Sequence, residues 1–234
     1  MTFRALLLGD PVIFKRAKGG GRWQLLADKL KPQLGLNHMR ANRFKADFDF
    51  RLKEGHKLWE DGTFESFEAP DTWYLLFDDS QGVPLLATKG WQKDPATLQE
   101  YLEIALFRFG TLRFKDLHPG NVLRLPQPGG GGRTLLSIDE MSIGRESVLH
   151  AHAAKSEFDG LKHHLSALQS IVSKWQHVSE QSFEQACLQC DFPPDRARMI
   201  AKEIAANLGQ LHKDLDAAAE KGKTSWRGQP SRTQ

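Results

Sequence analysis

Cysteine is scarce in this chain. Its 234 residues hold two, Cys187 and Cys190, both in the stretch "CLQC". That excludes a disulfide framework, and a four-ligand zinc site would need a second pair that the sequence does not have. The pair falls inside a helical pattern and reads as two thiols in a reducing compartment. Long apolar runs are also missing: nothing approaches the eighteen consecutive apolar residues of a membrane-spanning helix. The opening "MTFRALLLGDPV" has one arginine and no small-residue cleavage site, and its apolar run breaks at Gly9-Asp10-Pro11. It reads as a strand and not as a signal peptide. Zinc-finger spacing, an RNP-like aromatic motif and a long basic helix are absent, which argues against a nucleic-acid partner. No internal repeat is present, and residues 16–53 contain no glutamate.

What is present suits a globular protein with one large domain or two small lobes: 40% of residues are apolar and 26% are charged. Charge is unevenly spread. Residues 1–53 carry twelve Lys/Arg against four Asp/Glu, whereas residues 54–220 carry sixteen against twenty-five. The last fourteen residues add four basic side chains and no acidic one. This is either a pair of solvated surfaces of opposite sign or a basic N-terminal part that faces phosphates.

"FRALLLG" and "PVIFKRA" read as two short strands parted by a turn. After "GGG" (Gly19–Gly21), Leu25, Leu26, Leu30 and Leu34 have helical spacing, with Pro32 ending or bending the helix. Residues 37–70 show weak periodicity and are expected to be irregular. "DTWYLLFDD" is a strand, and "SQGVPLL" leads through a turn into a linker. "DPATLQEYLEIALFRFGTLRF" is a helix with Asp94 as N-cap and Pro95 at its first position. Its apolar face is Leu98, Leu102, Ala105, Phe109 and Leu112. "NVLRL" and "TLLSI" form a hairpin around a Pro- and Gly-rich loop. Two further amphipathic faces follow: Phe158, Leu161, Leu165, Leu168, Val172 and Trp175, then Ile200, Ile204, Leu208, Leu211 and Leu215. The second is opened by Pro193-Pro194-Asp195. From about Lys221 the composition predicts disorder.

The chemistry concentrates at "KDLHPGNVLRL", which begins at Lys115. If Val122–Leu125 pairs with Leu135–Ile138, then Asn121 and Asp139 face each other at the open end of the hairpin. Asp116 lies five residues before Asn121, with His118 between them. Two carboxylates and a carboxamide at one point suit a hard cation that keeps several waters, as Mg²⁺ does. A metal-free carboxylate beside it can take or orient a hydroxyl proton. Asp and Asn also gather in turns for backbone reasons alone. A capping turn, however, does not account for the strand, Gly-rich loop and second strand ending in "SIDE".

"DLHPGNVL…SIDE" resembles the catalytic loop and metal segment of the protein-kinase-like superfamily. It is nearest to the branches that write D-x-H-x-x-N: the actin-fragmin kinase and phosphatidylinositol 3- and 4-kinase type, then the aminoglycoside and choline phosphotransferases. "EIALFRFGTLRFKDLHPGN" also resembles the entry to that loop in the first group. The aminoglycoside type usually has His-Gly before the aspartate, where this chain has Phe114-Lys115. The specific match spans residues 100–141.

The resemblance implies an α+β, two-lobed kinase-like fold. Residues 1–80 would form a small, basic, β-rich lobe and residues 81–220 a mostly helical one, with 221–234 as a basic tail. It implies ATP and Mg²⁺ as cofactors and a hydroxyl acceptor, with a protein Ser/Thr favoured over a lipid or small molecule. Asp116 would position or deprotonate the acceptor, with His118 bracing the loop. Asn121 and Asp139 would bind metal. Lys15, on "VIFK", would be the strand lysine that meets nucleotide phosphates, and Phe77–Asp79 would lie at the adenine hinge. The departures are specific. With no glutamate in residues 16–53, Asp28 is the nearest candidate partner for Lys15 and Gln24 another. No G-x-G-x-x-G precedes Lys15. Gly19–Gly21 could instead present backbone N–H groups to a phosphate, although no Lys-Ser/Thr follows. Glu140 and Met141 replace the usual Phe-Gly. These departures leave open a pseudokinase that binds nucleotide or scaffolds without catalysis, and a transferase of another group such as AMP. The expected location is a cytoplasm, its own or, by analogy with small kinase-like effectors, a host's.

Overall fold

The first two apolar runs pair as an antiparallel hairpin, β1 (Thr2–Leu7) and β2 (Asp10–Arg16). The turn falls on Leu8 and Gly9, both at positive φ, which is the hand that matches strand twist. This is a computed structural model, and it describes residues 2–17, 21–52, 54, 64–112, 119–126, 132–138, 140 and 164–226. Helix α1 (Arg22–Gln33) follows, with Pro32 in its last turn as the sequence suggests. Gly21 caps it in the left-handed region at φ 66°, and a Cβ there would stand 2.9 Å from Ala17 and Leu75. That turn therefore needs a glycine for backbone and packing reasons alone. Gly19 and Gly20 lie outside the described residues.

Residues 41–52 and 64–70 correct the expectation of an irregular stretch over 37–70. Ala41–Leu52 form β3 and Phe64–Asp78 form β4, the longest strands among the described residues. The strand expected at 71–79 is the second half of β4. The missed signal is period-two: Phe44, Ala46, Phe48 and Phe50 alternate with polar residues. A register shift between Ala46 and Phe48 marks a bulge. The four strands form an antiparallel sheet in the order β1-β2-β4-β3. Its outer face carries rings of Phe14, Phe44, Phe48 and Phe50 around Tyr74.

A second sheet is small. β5 (Val83–Pro84) joins the edge of the hairpin formed by β6 (Val122–Arg124) and β7 (Leu135–Ser137). The segment expected to be a linker thus contributes a strand. Helix α2 (Pro95–Gly110) starts at Asp94 and Pro95 as expected, with the Thr97 hydroxyl bonded to Asp94. It is buried almost all round rather than along one stripe. Its expected face is buried at Leu102, Ala105 and Leu112, and Leu98 packs alongside.

Three helices complete the chain: α3 (Leu165–Trp175), α4 (Glu180–Leu188) and α5 (Pro194–Trp226). Leu168, Val172 and Trp175 are buried, as are all five apolar positions expected on α5. Helix α5 runs on to Trp226, six residues into the segment that composition assigns to a disordered tail. The largest core joins α1 to α2, α3, α4 and α5. The Trp175 indole N–H also bonds the Leu34 carbonyl at 2.7 Å. A second core, of Ala17, Met39, Leu75, Phe77, Leu123 and Leu136, joins the four-stranded sheet to the hairpin. Among the described residues the protein is α+β, with two antiparallel sheets and five α-helices. None of those helices is long and apolar enough to cross a membrane.

Candidate functional site

The β6–β7 hairpin is held from three sides. From α2, the Glu100 carboxylate accepts the backbone N–H groups of Thr134 and Leu135, each at 2.8 Å, and Glu103 pairs with Arg133. From the segment after α1, the Asn37 amide donates to the carbonyls of Arg133 and Leu135 at 3.2 and 2.8 Å. The third contact lies at the end of the hairpin that leads to Glu140. Lys31 Nζ of α1 donates to the Ser137 carbonyl at 2.7 Å, to Asp28 Oδ1 at 2.9 Å and to Glu140 Oε2 at 3.1 Å. Arg108 of α2 donates to the Ile138 carbonyl at 2.9 Å and to the Ser137 hydroxyl at 3.3 Å, and its Nη1 lies 3.5 Å from Glu140 Oε1. The Ser137 hydroxyl also bonds Glu140.

These are four ionisable side chains with almost no solvent contact: Asp28 3%, Lys31 1%, Arg108 0% and Glu140 0% exposed. Burial alone would push the Glu140 carboxyl up, but Lys31 and Arg108 outweigh it and hold it below its ordinary value. Lys31 is pushed down by burial and pulled above its ordinary value by Asp28 and Glu140. Asp28 is the weaker partner. Burial raises it to about 6 against the pull of Lys31, and the Glu140 charge adds to the rise. Among the described residues, its second oxygen, Oδ2, makes no hydrogen bond, and neither does the buried Gln24 Oε1 one turn earlier.

The hairpin forms as the sequence predicts, with one correction of register. Val122 pairs with Ser137 and Arg124 with Leu135, and the Ile138 N–H bonds the Asn121 carbonyl at 2.9 Å. Asn121 therefore faces Ile138, one residue off the expected pairing of Val122–Leu125 with Leu135–Ile138. Asp116, His118 and Asp139 themselves lie outside the described residues.

On the sheet, Lys15 pairs with Leu75 between Ile13 and Ala17. Strand alternation puts it on the face that packs against the hairpin through Ala17, Leu75 and Phe77. Phe77 is buried in that core. Asp79 sits where the sheet ends: its N–H bonds the Pro11 carbonyl at 3.0 Å and its carboxylate accepts from the Gln81 N–H at 2.9 Å. Asp28, expected as the acidic partner of Lys15, bonds Lys31 instead. The physical reason is local: Asp28 and Lys31 lie three residues apart on one helix face.

Sequence reasoning missed Lys31, Arg108 and Glu140. Each left a signal. Arg108 is a lone cation in the apolar run "EIALFRFG", and Glu140 closes an apolar strand. Lys31 stands one helical turn from both Ala27 and Leu34, which are buried. A charge amid apolar residues is rarely buried unless paired. Cys187 and Cys190 are free and buried. Burial pushes both thiols up to about 12, which disfavours the reactive thiolate at neutral pH. No cluster of three or more His, Cys, Asp or Glu exists among the described residues. Asn121 stands at the start of the hairpin with its backbone carbonyl bonded to the Ile138 N–H, and a carboxamide oxygen is a donor of the type that hard cations take. No family model matches the chain, and no curated protein matches it.

Proposed function

We propose that the chain is an ATP- and Mg²⁺-dependent phosphotransferase acting on a hydroxyl acceptor, with a small strand-rich lobe over a helical one. The observation that carries this reading is the hairpin joined at Asn121 O and Ile138 N. It sets Asn121 beside the residue that precedes Asp139. The order of parts supports it as well: a strand lysine, a helix, two strands, a long buried helix, the D-x-H-x-x-N loop, then the hairpin. That is the order in which kinase-like proteins present their phosphate lysine, catalytic loop and metal aspartate.

Each residue then has a task. Lys15 binds phosphate oxygens from the sheet. Asp116 holds the acceptor hydroxyl and takes its proton, with His118 bracing the loop. Asn121 and Asp139 would hold Mg²⁺, which when bound supplies charge neutralisation to the phosphates. Asp79, where the sheet ends, borders the nucleotide base, with the buried Phe77 supporting that strand end from the core. A nucleotide-binding scaffold without catalysis is the second reading, and one observation favours it: Asp28 is bonded to Lys31 and not left for Lys15.

The test is transfer of labelled γ-phosphate from ATP, with lysate protein and lipid as acceptors. The expected result is Mg²⁺-dependent label that Asp116→Ala and Asp139→Ala each reduce by at least about a hundredfold, at the low end of what positioned acid–base and electrostatic groups contribute. Turnover unchanged by both substitutions would remove the enzyme reading.

A further inference from the structure

We infer that the Asp28 carboxyl takes up a proton on Oδ2 and donates it to Gln24 Oε1, a buried proton bridge along α1 that closes on mild acidification. Both side chains belong to α1 and stand four residues apart. Residues at that spacing are neighbours on a helix surface, about 5–6 Å between Cβ atoms. Gln24 is 2% and Asp28 3% exposed. Among the described residues, their two oxygens are the only buried side-chain oxygens that make no hydrogen bond. Two acceptors cannot bond each other, and a buried acceptor without a donor costs stability. One hydrogen removes both defects, because a neutral carboxylic acid has an O–H to give and a carboxamide oxygen accepts it. The proton comes from water, and one O–H bond is all that forms.

The surroundings set up two alternatives. Lys31 Nζ holds the other carboxyl oxygen, Oδ1, at 2.9 Å, so the hydrogen falls on Oδ2. The charged groups around Asp28 are Lys31 on α1 itself, Arg108 on α2 and Glu140 after β7. His38, in the segment before β3, lies near Lys31. From the sheet, Lys15 of β2 and Arg43 of β3 both pair with Leu75 and share its face, and Arg43 is paired with Asp191. With Asp28 ionised, it and Glu140 balance Lys31 and Arg108, but two oxygens lack donors. With Asp28 neutral, both oxygens are satisfied and the cluster carries one net positive charge. Burial and the Glu140 charge, set against Lys31 and the Met39 N–H, bring the exchange between these states to about pH 6. On the acid side Glu140 is the anion left to Lys31, which also holds the Ser137 carbonyl. The bridge is independent of phosphotransfer.

The test is carbon-13 NMR of the side-chain carboxyl and carboxamide carbons, from about pH 4 to 8. Asp28 is identified by the signal that Asp28→Asn removes. In wild type its midpoint is expected near 6, with the Gln24 carboxamide carbon moving through the same midpoint. Gln24→Met is similar in length and volume and removes the acceptor. Its Asp28 midpoint is expected to fall by about 0.5 to 1 pH unit, the worth of one hydrogen bond to the neutral form. A midpoint unchanged or raised in Gln24→Met overturns the inference. An amide turned to donate its N–H, or a water donating to both oxygens, favours the ionised carboxyl and gives that result. Should the variant fail to fold, wild type decides alone. A Gln24 carbon that stays flat while Asp28 titrates overturns the inference, as does a wild-type midpoint no higher than the ordinary 3.8.

Discussion

Two buried polar networks sit on opposite faces of the four-stranded sheet, and they are built differently. On the outer face, the Tyr74 hydroxyl donates to Asp49 Oδ1 at 2.8 Å and Arg16 pairs with Asp49 Oδ2 at 2.7 Å. The tyrosine is neutral and the arginine is half exposed, so Asp49, 2% exposed, is the one ion of the three that gives up its water. Burial and the Asp49 bond push the Tyr74 phenol well above its ordinary value, which keeps it neutral. Toward the hairpin, Asp28, Lys31, Arg108 and Glu140 give up water entirely. The first arrangement stitches β2, β3 and β4 together. The second holds two helices to one strand end, at a desolvation cost that stitching does not require.

The comparison breaks most visibly by removing one member from each side. Glu140→Ala leaves Lys31 and Arg108 without their shared anion and is expected to cost about 3–5 kcal/mol in denaturant unfolding. Tyr74→Phe removes one neutral donor and is expected to cost about 1 kcal/mol, with Mg²⁺–ADP affinity unchanged. Equal losses would mean that the two networks do the same job.

Acidity sharpens the contrast with a smaller effect of opposite sign. Asp28 titrates near 6 in the fold against an ordinary 3.8, so the folded state holds its proton more tightly than the unfolded chain. Its contribution to stability is complete below about pH 4 and is lost as pH rises through 6. Glu140 works the other way: held below its ordinary 4.5, it stabilises above that value and loses its contribution as pH falls through its folded value. Asp28→Asn cannot titrate. It is expected to match wild type near pH 4 and to exceed it by on the order of 2 kcal/mol at pH 7. A variant no more stable than wild type at pH 7 would contradict the assignment of Asp28 as the strained member.

Much of this was legible in the residues. Asp94-Pro95 announced α2, Pro193-Pro194-Asp195 announced α5, and apolar strands around a Gly-rich loop announced the hairpin. What was not legible depends on through-space pairing. The choice of Lys31 over Lys15 as the partner of Asp28 needs the helix face and the reach to Glu140, 109 residues away. The one-residue register shift at Asn121 appears only in the pairing of Val122 with Ser137, on a β7 that Glu100 and Asn37 hold through its backbone. The strand at 41–52 was readable, since its phenylalanines alternate, but basic and acidic residues between them diluted the pattern. The helix through Trp226 was obscured because its last residues have no apolar stripe to announce them.

The most direct measurement is a double-mutant cycle between Asn121→Ala and Asp139→Ala, read as thermal stabilisation by Mg²⁺–ATP. If both side chains hold one cation, each single change removes most of the Mg²⁺-dependent shift and the double variant loses little more. Additive losses, or a full shift in either single variant, would contradict a shared site.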